Sequence, residues 1–409
     1  MASNPERTSR GLLQINFPIE NAKVTISYKG QPQSAIEQVE TNSSGQTAQV
    51  SLPAPNVEYS LEPGIIQPYS EYNLLVEAEG FDPLEISGTE ILAESTALQP
   101  AALTPRNGAP PPEEPVVIPD HTLYGNYPPK IPESEIKPLQ ESGEIVLSRV
   151  VVPQTVVVHD GTPGDRTAKD YYVPYRDYIK NVASSEIYST WPVSTITANV
   201  LAIMSFTLNR VYTEWYRNQG YDFTITSSTA FDHKWIYGRN IFQSISSVVD
   251  EIFDSYLSRP GVRQPILTQY CDGRQVQCPE WMTQWGSCSL GQQGYSPIEI
   301  LRHFYGDSIY VNTAELISGI PASWPGQDLT VGSSGDKVRQ MQEQLDAIAE
   351  VYTAIPRITA DGIYGPMTAA AVNEFQSIFG LPQTGVVDFA TWYRISHIYV
   401  GITRIAELV

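Results

Sequence analysis

Nine prolines fall between residues 106 and 145, with runs at Pro110-Pro111-Pro112 and Pro128-Pro129. Proline lacks a backbone N–H and fixes φ, so neither a helix nor a central strand can run through such a stretch. The 409-residue chain is therefore divided, and no single element crosses this point. Residues 106–149 favour extended polyproline II and read as a linker or pro-segment. Its large side chains His121, Leu123, Tyr124 and Tyr127 exceed what a spacer needs. They point to part of it lying against a neighbour.

The flanking stretches have different periodicities. Residues 1–105 read as strands. Leu13, Ile15 and Phe17 alternate with polar residues, as do Val24, Ile26 and Tyr28, with turn-rich pieces such as Asn42-Ser43-Ser44-Gly45 between the runs. Period-two alternation with frequent turns predicts an all-β sandwich. Residues 150–320 mix a β-branched run at 150–159 with helix-like spacing. Tyr175, Tyr178, Ile179 and Val182 share one face, and Ile196, Val200, Ile203 and Val211 share another in a longer helix opened by Trp191-Pro192. Residues 327–409 place Val338, Met341, Leu345 and Ile348 on one apolar face and Thr368, Val372, Phe375 and Phe379 on a second. The expected architecture is multidomain: an N-terminal all-β sandwich, a central α+β catalytic domain and a small C-terminal three-helix domain.

Charge limits the partners. The net charge is −20, and no basic stripe exists of the kind that binds nucleic acid by counterion release, so nucleic acid is excluded. Lys and Arg against Asp and Glu give −9 over residues 1–105 but only −3 over 146–320. The central part is where an anionic polymer is best tolerated. Met1 to Arg7 has no apolar run typical of a secretory signal, and no stretch is apolar for long enough to span a bilayer, so no transmembrane segment is expected. Cys271, Cys278 and Cys288 are too few, and odd in number, for a disulfide scaffold. With His233 they could supply four zinc ligands in principle. The spacing lacks a tight cysteine pair, so partly buried free thiols are expected, with no metal and no cofactor.

Two motif sets carry family resemblances. Leu329-x-Val331-Gly332-x-x-Gly335-x-x-Val338-x-x-Met341-Gln342, Asp361-Gly362-Ile363-Tyr364-Gly365-Pro366-x-Thr368, Phe375-Gln376 and Gly380-Leu381-Pro382-x-Thr384-Gly385-Val386-Val387-Asp388 resemble the peptidoglycan-binding domain of cell-wall hydrolases. Most of these residues read as that fold's own turns and core. In the centre, Tyr178-Ile179-Lys180-Asn181-Val182-Ala183-Ser184-Ser185-Glu186-Ile187, Asp232-His233-Lys234-Trp235, Gln269-Tyr270-Cys271-Asp272-Gly273 and Trp281-Met282-Thr283-Gln284-Trp285-Gly286 resemble the stage II sporulation protein D family of lytic transglycosylases. Together with His121-Thr122-Leu123-Tyr124-Gly125-Asn126-Tyr127-Pro128-Pro129-Lys130-Ile131-Pro132-Glu133 in the linker, the whole order of units resembles the spore cortex-lytic enzymes.

Most glycosidases pair two carboxylates to break a glycosidic bond. The lytic transglycosylase chemistry that the resemblance implies needs only one. A single acid/base protonates the leaving oxygen, then deprotonates the muramic sugar's own 6-hydroxyl, which closes to a 1,6-anhydro end. The nucleophile is intramolecular, which lowers the entropic cost. The resemblance makes Glu186 that residue. Without it, a glutamate after a helix reads more simply as a surface group. Beside Ile187, Tyr188 and Trp191 a carboxylic acid would be partly desolvated, the setting that lets it keep a proton near neutral pH.

The resemblance also places His233 and Tyr270 among substrate-binding residues. Met204 stands where the family carries an arginine, and Arg210 is the available substitute. It further implies peptidoglycan of the spore cortex as substrate, location in the spore, and storage as a zymogen cut by a subtilisin-like germination protease near Glu141–Val152. Two other classes stay open. One is a zinc amidase cutting between muramic acid and its peptide, and the other is a non-catalytic wall-binding protein.

Overall fold

A computed structural model describes residues 18–106, 115–138, 147, 149–318 and 325–403. The N-terminal unit is built on β1 (Lys23–Tyr28), β2 (Ala35–Glu40), β3 (Tyr69–Glu77) and β4 (Leu84–Leu92), with the short helix α1 (Glu58–Leu61) before β3. β1 pairs antiparallel with β2 and β3, and β3 with β4, in a register that sets Ile26 opposite Leu74 and Leu74 opposite Ile86. One face buries these three with Tyr72. The outer strand β2 is almost wholly exposed, and its Glu37 and Glu40 discourage edge-to-edge pairing.

Two results differ from the expectation for this unit. Among the described residues the strands form one five-stranded sheet in the order β2-β1-β3-β4-β6, with β6 at Val116–Val117, not two stacked sheets. Its apolar face is covered by Val50, Leu52 and, from the central unit, Ile236. The last strand, β6 (Val116–Val117), comes from the proline-rich segment and pairs in parallel with β4. A two-residue β5 (Ala97–Leu98) leaves this unit to pair with a central strand.

The docking of β6 is built into the sequence by two glycines. Gly88 in β4 has φ +95°, and a Cβ there would lie 2.5 Å from the Ile118 carbonyl oxygen. Gly238 of the central unit has φ +74°, and a Cβ there would lie 2.3 Å from Val116 Cγ1. Both positions need glycine for conformation and for space. Residues 116–118 are thus clasped between the two units.

The central unit contains β7 (Val151–Val152), β8 (Thr155–His159), β9 (Asp170–Pro174), β10 (Ile225–Thr226), β11 (Ile241–Phe242), β12 (Ser255–Ser258), β13 (Tyr270–Cys271), β14 (Met282–Thr283), β15 (Tyr310–Thr313) and β16 (Leu316–Ile317). Its helices are α2 (Tyr175–Glu186), α3 (Val193–Tyr212), α4 (Gln243–Ile252), α5 (Gln284–Gln292) and α6 (Pro297–Tyr305). β8 lies between β10 and β9, and the remaining strands pair two by two. Helix α3 is buried on nearly all sides and forms the spine, with Ile196, Val200, Ile203, Met204 and Phe206 in the core and buried polar residues such as Asn199 and Arg210 hydrogen-bonded. The other central helices pack around it, and α6 begins with a capping box from Ser296 and Glu299.

The C-terminal helices are α7 (Asp336–Val351), α8 (Pro366–Ile378) and α9 (Phe389–Thr403). Two buried glutamines tie their loops. Gln342 donates to the Ile363 carbonyl and accepts from Gly362 N–H, while Gln376 donates to the Val386 carbonyl and accepts from Thr384 and Gly385 N–H. These motif residues hold turns, as their pattern suggested. The module sits against the centre through Arg176, which donates to the Tyr393 carbonyl, and Phe253, which packs edge-on against Tyr393.

Candidate active site

Glu186 ends α2 and is buried. The helix is pinned from two sides just before this residue. Asn181 exchanges two hydrogen bonds with Ile236, its amide donating to the carbonyl at 2.8 Å and its oxygen accepting from the N–H at 2.9 Å. Arg239 donates to the Ser184 carbonyl at 2.6 Å. The segment at 233–239 is thereby fixed beside the helix end, and the Lys234 N–H donates to Glu186 Oε1 at 2.9 Å. From the opposite side Gln284, the first residue of α5, donates to the Glu186 carbonyl at 2.7 Å and to Oε2 at 3.2 Å. The carboxylate therefore faces polar donors, where the sequence had suggested an apolar surround.

His233 and Tyr270 stand together, with ring centroids 5.8 Å apart and nearly parallel planes. Phe206 packs against His233 in a tilted arrangement, with ring centroids 4.4 Å apart. The His233 Nδ1 pairs with the Tyr178 hydroxyl at 3.1 Å, while His233 Nε2 and the Tyr270 hydroxyl are buried without a hydrogen-bond partner among the described residues. Burial, then Lys130 and Arg210, hold the His233 imidazole well below its ordinary value, so it is neutral. Burial, then the Glu186 carboxylate, push the Tyr270 phenol well above its own. An aromatic wall with two unsatisfied polar atoms thus stands beside Glu186.

Arg210 is fully engaged in this state. Its Nε donates to Asp232 at 2.7 Å, and its two terminal nitrogens reach Glu133 at 2.9 and 2.6 Å. Asp232 also accepts from the Tyr216 hydroxyl and from the Thr226 N–H and hydroxyl. Met204 lies in the core and takes no part in the cleft.

The proline-rich segment lies across the same cleft. Thr122 donates to the Ser185 carbonyl at 2.8 Å and to Glu186 Oε2 at 3.3 Å. Lys130 is buried, with its Nζ donating to the Asp232 carbonyl and sitting 4.9 Å from the Tyr270 ring centre and 5.3 Å from that of Phe206. Glu135 pairs with Arg259, and the Lys137 N–H donates to Gln264. Thr122, Tyr127 and Lys130 line the cleft together with Glu186, Tyr270 and Gln284. Sequence reasoning missed Gln284, Thr122, Lys130 and Glu133. All four lay inside matched motifs without a role to distinguish them.

The cysteines require a correction. Cys271 and Cys278 form a disulfide, and only Cys288 is a free thiol, buried and pushed up to about 12 by that burial. The bridge closes the loop between β13 and β14, where Tyr270 and the start of α5 emerge. Among the described residues no group of three or more His, Cys, Asp or Glu is placed to hold a metal. No helix among them is long and apolar enough to cross a membrane.

Comparison with known proteins assigns the C-terminal module first. Residues 334–395 match the peptidoglycan binding domain family, so this part of the chain is a peptidoglycan-binding module. A zinc D-Ala-D-Ala carboxypeptidase of Streptomyces albus G is 40% identical over 73 residues, which are 18% of this chain and 27% of that enzyme. The chain thus spans about a quarter of the carboxypeptidase's length. An uncharacterized protein encoded in the bpoA1 3′ region of Kitasatospora aureofaciens is 32% identical over 92 residues, 22% of this chain and 71% of that protein. The chain belongs to the same family as that protein. The SleB N-terminal domain is 27% identical, covering 19% of this chain and 99% of the solved chain, with a TM-score of 0.17.

Proposed function

We propose that this chain is a peptidoglycan lytic transglycosylase, with Glu186 as its single acid/base and the C-terminal module as its tether to the wall. The observation that carries the reading is the setting of Glu186. Of the two carboxylates among the described residues lining the cleft, it is the one held by donors from separate parts of the chain, the Lys234 N–H and the Gln284 amide, with Thr122 of the proline-rich segment added in this state. The other carboxylate lining the cleft, Asp272, is committed to the N–H groups of Gln275 and Val276. A single carboxylate anchored in this way suits a reaction whose nucleophile is supplied by the sugar.

In this scheme protonated Glu186 gives its proton to the oxygen between N-acetylmuramic acid and N-acetylglucosamine, and that C–O bond breaks. The resulting carboxylate takes the proton of the muramic 6-hydroxyl as its oxygen closes on the anomeric carbon. Glu186 ends protonated again, and no water is consumed. Gln284 and Lys234 stabilise the carboxylate stage. His233 and Tyr270 offer a neutral imidazole nitrogen and a phenol to the bound sugar.

The finer assignment is a spore cortex-lytic enzyme of the SleC type, acting in the spore during germination. The 115–138 segment crosses the cleft, so the substrate needs it displaced. Cleavage by a subtilisin-like protease near Glu141–Val152, mostly outside the described residues, would start that release.

Mass spectrometry of muropeptides released from cortex sacculi tests the assignment. The expected products carry 1,6-anhydro ends and vanish in Glu186→Gln while sacculus binding persists. Lactyl ends with liberated peptides would assign an amidase instead. Activity that survives in Glu186→Gln would remove this residue from the mechanism. Protein cut between residues 138 and 150 should be far more active than uncut protein; equal activity would discard the zymogen.

A further inference from the structure

Resting on the reading above, we propose that the terminal fork of Arg210 is a subsite for a carboxylate of the peptidoglycan stem peptide, occupied in this state by Glu133. Arg210 is a buried guanidinium that has been aimed. Its Nε edge is fixed by Asp232, one of its terminal nitrogens also reaches the Phe231 carbonyl, and Asp232 is itself held by Tyr216 and Thr226. The two terminal nitrogens form a planar fork, and the carboxylate it holds bidentately is Glu133. A fork of this geometry selects planar anions and binds carboxylates in pairs of parallel hydrogen bonds.

Glu133 belongs to the segment that must leave before substrate can enter. Its departure would leave the two terminal nitrogens of a buried guanidinium without their acceptor, Asp232 still balancing the charge, and unmade hydrogen bonds of that kind are costly unless another acceptor replaces the lost one. The position relative to Glu186 identifies the replacement. Residues 122–133 lead from Thr122 on Glu186, past Lys130 against Tyr270 and Phe206, to Glu133 on Arg210. Arg210 and Lys130 share the Phe206 ring, at 4.9 and 5.3 Å from its centre. The aromatic wall, with its unpartnered His233 Nε2 and Tyr270 hydroxyl, suits the sugar. Arg210 packs on the Phe206 ring that lies against His233 of this wall, and the same run of chain that covers Glu186 places its own carboxylate on it. The lactyl carboxyl of a peptide-bearing muramic acid is already an amide, so the free carboxylates are those of the peptide. The segment is in this sense a mimic of the peptide-bearing strand.

The test uses the full chain carrying Glu186→Gln, cut between residues 138 and 150 with both parts kept present. Calorimetry measures its affinity for a disaccharide–tetrapeptide muropeptide and for the same compound with its carboxyls amidated. The native compound is expected to bind about tenfold or more tightly, as for hydrogen bonds to charged groups. Arg210→Gln should erase the difference. Equal affinities for the two compounds before that change, or binding of neither, would overturn the subsite.

Because Arg210→Gln also strips Asp232 of its cation, a second variant leaves that pair intact. Glu133→Gln weakens the competing ligand and should raise the affinity for the native muropeptide severalfold, with less gain for the amidated one. The same gain for both, or no gain for either, would count against the proposal. Binding is read in a protein that cannot cleave, so this outcome is separate from the product analysis that decides the glycosidase reading.

Discussion

Arg239 of the central unit grips Glu90 of strand β4 with two hydrogen bonds, 2.8 and 2.6 Å long, and both side chains are buried. The same guanidinium donates to the Ser184 carbonyl, two residues before Glu186. Asn240 reinforces the contact by exchanging hydrogen bonds with the Glu90 backbone. The N-terminal sheet is therefore connected directly to the helix end that presents the candidate acid.

Removing one side of this pair strands a buried charge, which costs about 3–5 kcal/mol. Glu90→Ala should lower the unfolding free energy by that order in urea denaturation of the full chain. The double variant Glu90→Leu/Arg239→Met should recover much of the loss, since an apolar pair of similar volume is often neutral. A Glu90→Ala change below about 1 kcal/mol would mean that the two units do not depend on this contact.

Gln284 is expected to act on rate more than on binding. Its amide donates to both the carbonyl and the carboxylate of Glu186, and its backbone is set by the start of α5. Gln284→Ala should lower kcat about 10- to 100-fold with KM nearly unchanged, because a positioning donor at the charged stage is lost. Gln284→Glu should be worse, since a second carboxylate beside Glu186 repels the first. Steady-state release of muropeptides from cut protein checks both. A rise in KM alone would instead make Gln284 a substrate contact.

How much of this site was legible in the sequence depends on how far apart its partners are. The apolar spacing of Tyr175, Tyr178, Ile179 and Val182 locates α2, and Trp191-Pro192 marks the start of α3, because both signals are local. Glu186 was legible only through family resemblance, since nothing local separates it from other glutamates. The contacts of Thr122 with Glu186 and of Glu133 with Arg210 join residues 64 and 77 apart. No periodicity encodes such a pairing. Arg210 was accordingly read as a substrate residue, while its outer face is held by the chain itself. The large side chains in the proline-rich stretch did signal a docked segment, and His121 and Leu123 are buried.

Acid sensitivity should trace in part to Asp250. This buried residue of α4 accepts from Lys180 at 2.6 Å and from Arg176 at 3.3 Å, both on α2. Burial pushes its carboxyl up, but Lys180 and Arg176 outweigh that and hold it below the ordinary carboxylate value. A depressed value in the folded state means the unfolded chain binds the proton first. The stabilisation is full above an unfolded value of about 4 and is lost as pH falls below it. Asp250→Asn should cost about 3–5 kcal/mol at pH 7 by stranding two cations, and its stability should fall less steeply below pH ~4 than that of the unaltered protein. Urea titrations stepped from pH 7 to pH 2.5 compare the two slopes; parallel curves would place the acid sensitivity elsewhere.

The Cys271–Cys278 bridge should matter to activity as well as to stability. It spans seven positions in sequence, a short loop whose closure contributes about 2–3 kcal/mol through the unfolded chain. Tyr270 precedes the first cysteine, and the second is followed closely by Met282 and Thr283, which pair with Tyr270 and Cys271 and lead into Gln284. The bridge therefore braces the loop that joins the aromatic wall to the amide that holds Glu186. Cys278→Ser should lower stability by about 2 kcal/mol and reduce kcat severalfold, with the loss largest in the Gln284-dependent part of the rate. In the Gln284→Ala background the added effect of Cys278→Ser on kcat should shrink, because both changes disturb the same contact. Independent, multiplicative losses would show that the bridge acts on Tyr270 alone.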